Sequence, residues 1–241
     1  MLRLIARIAC AALATAGIAA SVAAATPAAT GMTQFQHDLV SVLALRADAE
    51  HLLGAALLAR TLPDPATGLS YHALLGRAAA SPDAGPVVTW AQLVDCSPKA
   101  MDCPNPQALA RLEHEAPDNA AVWLMALGQA QGDGDAAAAH AAWGRAAAAT
   151  QYDDYRGASL KALAAAAAAL PPPADLYTGA DAAASSAAGV RALLVFGLGN
   201  LQPIPGFQAA AAICAKDKVD DATRRSCLKL AHTLAWAGTP L

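Results

Sequence analysis

Five cysteines and six histidines are the side chains of this 241-residue chain best able to bind a metal, attack a carbonyl or move a proton. Their spacing supports little of that. His37, His51, His72, His114, His140 and His232 include no H-E-x-x-H and no pair at i, i+4, the arrangement that puts two imidazoles on one helical face. Glu113-His114-Glu115 concentrates proton-transfer groups, but neighbours along a helix point to different faces, which suits a solvated surface. There is no G-x-S-x-G elbow. Gly197-Leu198-Gly199 lacks the third glycine and the preceding strand of a dinucleotide loop and reads as a helix stop. Gly132-Asp133-Gly134-Asp135 lacks the ligand ladder of a calcium loop and reads as a turn that caps the next helix. No residue is therefore assigned to catalysis, to a cofactor or to a metal. The chain is expected not to be an enzyme, with a site assembled in space from dispersed residues as the alternative.

The compartment decides what the cysteines do. Residues 1–7 are short and basic, 8–22 are apolar and uncharged, and Ala23-Ala24-Ala25 offers the small-x-small pattern of signal peptidase. The expectation is an exported protein, periplasmic or secreted, cleaved after Ala25 and without stable membrane insertion afterwards. Its apolar run is shorter than the roughly 20 residues a span needs, which weighs against an uncleaved anchor. Cys96, Cys103, Cys214 and Cys227 then remain, and an even count in an oxidising compartment favours disulfides. Three connectivities exist. The two local ones are favoured, Cys96–Cys103 around a proline-containing loop and Cys214–Cys227 across two helices joined by a charged turn. Structural zinc is the sharper alternative, but neither spacing is the short C-x₂₋₄-C of such sites.

The elements that must position these residues are helical. Hydrophobic content is 56% with only 5% aromatic, and the excess is alanine, the best helix former and a poor contributor of buried area. Phe35, Leu39, Val42 and Leu43 recur at helical spacing in 34–45, and Asp48 caps a second pattern running to Arg60. Asp64-Pro65 is read as a cap opening a helix to about Ala80, and Pro86 opens another that carries Trp90 and Leu93. Residues 117–150 form the clearest unit, two alanine-rich helices joined at Gly132-Asp133-Gly134. Asp153-Asp154 caps the next helix, Pro171-Pro172-Pro173 ends it, and Asp181 is expected to cap a helix through Phe196. Residues 192–215 are uncharged, but Asn200, Gln202, Pro203 and Pro205 break them into two helices rather than one span.

A repeat runs through this pattern. Arg77, Arg111 and Arg145 are 34 apart, Trp90 and Trp123 are 33 apart, and Gly76-Arg77-Ala78-Ala79-Ala80 recurs as Gly144-Arg145-Ala146-Ala147-Ala148. A period near 34 made of two helices means stacked hairpins, since one hairpin cannot bury its apolar face alone. Pro117-Asp118-Asn119 followed by Trp123, Leu127 and Gly128, the turn at Gly132, and 141–147 resemble one unit of the tetratricopeptide-repeat (TPR) proteins. The unit carries one extra residue between Trp123 and Leu127-Gly128, and the cysteine loop interrupts the unit at 86–116. The resemblance covers residues 64–170.

The expected fold class is all-α: TPR-like stacked hairpins, an α-solenoid, with a disulfide-clipped C-terminal hairpin. The expected organisation is a signal peptide at 1–25, a linker at 26–33, the repeat region at 34–170, a proline-rich linker at 171–180 and a C-terminal helical segment at 181–237. Loss of Arg3 and Arg7 with the signal leaves 14 basic against 19 acidic residues, a balance that excludes nucleic acid as the expected partner. The resemblance implies a scaffold for another protein or a peptide. An envelope enzyme and a membrane-anchored structural protein are the alternatives. Trp90, Trp123 and Trp143 are read as core filling, and Tyr152 and Tyr155 around Asp153-Asp154 as the best exposed patch.

Overall fold

The computed structural model describes residues 27–63, 68–95, 104–215 and 219–236. Within them the chain is all-α. Eleven helices follow one another: α1 Pro27–Leu43, α2 Ala49–Ala59, α3 Tyr71–Ala79, α4 Pro86–Gln92, α5 Pro106–Glu115, α6 Ala120–Gly132, α7 Ala136–Ala148, α8 Arg156–Ala167, α9 Ala187–Gly199, α10 Phe207–Cys214 and α11 Asp221–Trp236.

Local chemistry sets most of the helix starts. Asp48 accepts a hydrogen bond from the His51 amide at 3.0 Å, Asn105 from Gln107 and Ala108, and Asp135 from Ala138 at 2.9 Å. Pro86 and Pro106 occupy first-turn positions, where the missing N–H costs nothing. Gly134, at φ +73°, makes the turn between α6 and α7.

Some boundaries differ from the sequence reading. Helix α1 begins at Pro27, so most of the residues expected to be a linker are helical, and Thr33 Oγ1 donates back to the Ala29 carbonyl. Helix α3 starts at Tyr71, where Ser70 supplies the cap; Asp64 and Pro65 lie outside the described residues. Ser186, rather than Asp181, caps α9, because the Ala184 amide is held by the Leu176 carbonyl at 3.2 Å and keeps the preceding stretch off the helix. Helix α8 stops at Ala167, with Ala168 as its C-cap, three residues short of the proline triplet, and a 3₁₀ turn at Ala174–Leu176 beyond the prolines buries Leu176 against α1.

Consecutive helices pack on one another from α1 to α7, as in a chain of hairpins. Two hairpins close in the same way at a separation of 34. The α2–α3 hairpin ends where the Ala49 amide donates to Asp83 at 3.1 Å and Ser81 Oγ donates to the Ala47 carbonyl at 3.0 Å. The α6–α7 hairpin ends where Asn119 and Asp153 exchange two hydrogen bonds, Nδ2 to the Asp153 carbonyl at 2.7 Å and the Asp153 amide to Oδ1 at 2.9 Å. The period legible in the arginines and tryptophans is thus a physical closure, in which the loop entering a unit sits against the loop leaving it.

Helix α8 then departs from a linear stack. It returns to α2, and α9 packs on α8. The approach is close because a Cβ on Gly54 would meet Ala166 Cβ at 2.7 Å and the Ala162 carbonyl oxygen at 2.8 Å. With α1 and α3 on its other sides, α2 is buried along nine of its residues and forms the hub of a leucine-rich core with Phe35, Leu39, Leu74 and Leu163. A second core of alanine, leucine and tryptophan joins α6 and α7 to α10 and α11, and a third around Trp90, Leu112 and Val122 links α4, α5 and α6.

Candidate functional site

The concave feature best framed by helices lies between α5 and the α6–α7 hairpin. It is an open groove of about 480 Å³. Helix α5 contributes Leu109 and Glu113 to its wall; α6 contributes Trp123, Ala126, Gln129, Ala130 and Asp133; α7 contributes Asp135, Ala138, Ala141, Ala142 and Arg145. These positions recur every three or four residues along α6 and α7, so each helix presents one stripe running its length. Alanine dominates the floor. Its small side chains are what leave the space between the helices open.

The two ends differ in charge. At one end the Arg145 guanidinium sits 5.5 Å from the centre of the Trp123 ring, a cation–π contact, and Trp123 Nε1 donates to the Pro117 carbonyl at 2.7 Å, which fixes the ring. Glu113 is beside them. Partial burial raises its carboxyl above the ordinary value of 4.5, and Arg145 opposes that rise. At the other end Asp133 and Asp135 flank the α6–α7 turn.

The residues weighed in the sequence divide clearly. Cys214 and Cys227 form a disulfide, S–S 2.07 Å with the Cα atoms 5.9 Å apart; Cys96 and Cys103 lie outside the described residues. The bond joins α10, which lies on α6, to α11, which lies on α7, and so straps the two helices of the hairpin together. Glu113-His114-Glu115 separates as helix geometry requires: Glu113 faces the groove, His114 is exposed, and Glu115 accepts from Arg111 at 2.8 Å and Thr89 at 3.2 Å. His51 pairs with Asp48 at 2.6 Å and His72 with Asp95 at 2.9 Å, and neither pair lines a described cavity. His140 lines a second cavity of about 600 Å³ between α7 and α11 with Asp220 and Ser226, but the Asp220 carboxylate is engaged by the Thr223 amide at the start of α11.

Tyr152 and Tyr155 are not an exposed patch. Both are half-buried: Tyr155 packs on Trp90 with ring centres 5.5 Å apart, and Tyr152 on Phe207 at 6.0 Å. Burial pushes both phenols above their ordinary value of 10.0. Their neighbours Asp153 and Asp154 accept from the backbone amides of Tyr155 and Arg156, and neither is the cap expected for α8, whose N-cap is Tyr155 with no side-chain cap bond. Trp90 and Trp143 are buried, as read. Trp123 is the exception, half-buried and set in the groove wall. Sequence reasoning placed it in the core with the others. Arg145, on the facing helix of the hairpin and in contact with the ring, is the signal in the sequence that this tryptophan keeps a charged neighbour.

No family model matches the chain, and comparison with curated proteins and with solved structures finds nothing similar. Among the described residues no group of three or more His, Cys, Asp or Glu stands together as metal ligands would, and no helix is long and apolar enough to cross a membrane.

Proposed function

We propose that the protein is an exported helical-repeat scaffold of the cell envelope, TPR-like in build, whose groove between α5, α6 and α7 holds a peptide segment of another protein. The observation that carries this reading is the groove itself: an apolar floor of small side chains with charged groups at both ends, framed by α5 and the two helices of a hairpin that closes on itself at 34 residues. Helical hairpins that stack edge to edge offer such a surface to extended or helical partners. The basic, then apolar N-terminal segment and the Cys214–Cys227 bond both support an oxidising, exported setting.

The test compares the mature chain, residues 26–241, with an Ala141→Trp variant. Ala141 is exposed on α7 and lines the groove, so the larger ring fills it without entering a core. Both are used to capture proteins from an envelope extract of the source organism, with identification by mass spectrometry. A stoichiometric partner held by the parent and lost from the variant supports the reading. A partner held equally by both moves the interaction to another face. Capture of nothing by either withdraws the scaffold function and makes turnover of envelope material the next assay.

A further inference from the structure

The charges of the groove name the chemistry of its occupant, given the docking reading above. Three carboxylates line it, Glu113, Asp133 and Asp135, against the single guanidinium of Arg145. That guanidinium is already engaged over the Trp123 ring and beside Glu113. The other end carries two carboxylates and no cation among the lining residues. Asp135 commits Oδ1 to the Ala138 amide and keeps a second carboxylate oxygen. A smaller cavity of about 220 Å³ continues past Asp133 toward Ile204, which is 72% exposed.

We infer that the groove takes a basic peptide segment: small apolar residues over the alanine floor, then one or more Lys or Arg at the Asp133 and Asp135 end. The stripe from Asp135 to Arg145 is about 15 Å long at 1.5 Å per helical residue, which accommodates roughly four or five extended residues. Its alanines admit a close backbone and modest side chains; they leave no deep hole for an aromatic anchor. An acidic segment would bring its carboxylates against three like charges, an arrangement that selects against it.

The experiment selects displayed random 12-residue peptides on the full mature chain, with the Ala141→Trp protein as counter-selection. Peptides specific for the parent and rich in Lys or Arg beside Ala, Val or Leu are expected. Acidic or neutral groove-specific peptides overturn the basic assignment and leave the docking reading standing. Peptides that never distinguish parent from variant overturn both. A synthetic basic peptide from the selection is then titrated against Asp133→Asn combined with Asp135→Asn, since asparagine keeps the α7 cap. Loss of affinity by about three- to tenfold, with a flatter salt dependence, is expected for two partly exposed charge pairs. Unchanged affinity and salt dependence overturn the assignment.

Discussion

The α2–α3 and α6–α7 hairpins close with the same 34-residue geometry and meet opposite fates. Leu52, Leu53, Leu57 and Leu58 give α2 bulk on every side, and α1, α3 and α8 cover it. Helix α7 is almost all alanine; it buries Ala142, Trp143, Ala146 and Ala147 and leaves Ala138 and Ala141 on an open groove. Side-chain volume accounts for the difference. A leucine-rich hairpin draws a third layer onto itself and becomes an interior, whereas an alanine-rich one buries little area per residue, needs a covalent strap from α10 and α11, and retains a surface.

Overfilling the hub is the sharpest way to break this comparison. Gly54→Leu drives side-chain atoms into Ala166 and the Ala162 backbone and is expected to cost about 3 kcal/mol or more, read as a fall in the urea midpoint. On the open face of the second hairpin, Gly144→Ala meets nothing within 4 Å and is expected to stabilise by up to about 1 kcal/mol. Equal effects of alanine placed at the two glycines would show that α2 is no more enclosed than α7.

Removing the strap comes next. Replacing Cys214 and Cys227 with serine is expected to cost about 2.5–3 kcal/mol in the chain-entropy account, with hydrogen exchange rising in α10, α11 and α7 while α2 keeps its protection. Uniform loss of protection would mean that the two cores unfold as one.

The closures themselves differ in chemistry. Asn119 is 1% exposed and uses its amide on Asp153 and on the Ala121 N–H, so Asn119→Ala leaves buried groups without partners and is expected to cost about 2 kcal/mol in thermal unfolding. The first hairpin closes instead through the exposed carboxylate of Asp83. The Ser81 hydroxyl and then the Ala49 amide hold that carboxyl below its ordinary value of 3.8. The folded state therefore binds this proton more weakly than the unfolded chain. Its contribution is complete above about pH 4 and disappears as pH falls through the folded value. Asp83→Asn is expected to flatten the acid limb of the stability curve below pH 4, the smallest of these effects, and Asn119→Ala to leave it unchanged. Parallel acid limbs in parent and Asp83→Asn would remove the carboxylate from the closure.

Roles confined to a residue's own neighbours were the most legible, the starts of α3, α8 and α9 excepted. Asp48, Pro86 and Asp135 start helices, Gly134 turns one, and the 34-residue spacing reappears as Ala49 against Asp83 and Asn119 against Asp153. The equally spaced arginines are less uniform: Arg77 donates to the Arg46 carbonyl, Arg111 pairs with Glu115, and Arg145 lies over Trp123. Period locates a residue on its helix without choosing its partner. A helix was expected between Asp153-Asp154 and the proline triplet, and α8 lies there, yet nothing local in Ala162 or Ala166 says that it fits Gly54. The groove was hidden for a related reason. Whether a tryptophan at a repeat position fills a core or walls a cleft depends on the volume of the helix opposite, and that is a property of the pair.

The return of α8 to α2 also sets a schedule. Every closing contact of the α6–α7 hairpin lies within its own unit and can form as soon as residue 153 is free. Helices α1 and α3 cover α2 early, but its side facing α8 has to wait until the whole of α3 to α7 has been made and α8 follows. Loop closure over that distance is the slow step of such a topology. Both hairpins can close early on their own loops, whereas the cover of α2 is completed only when α8 docks, which pulsed hydrogen exchange would read as full protection of Leu53 and Leu57 arriving together with that of α8.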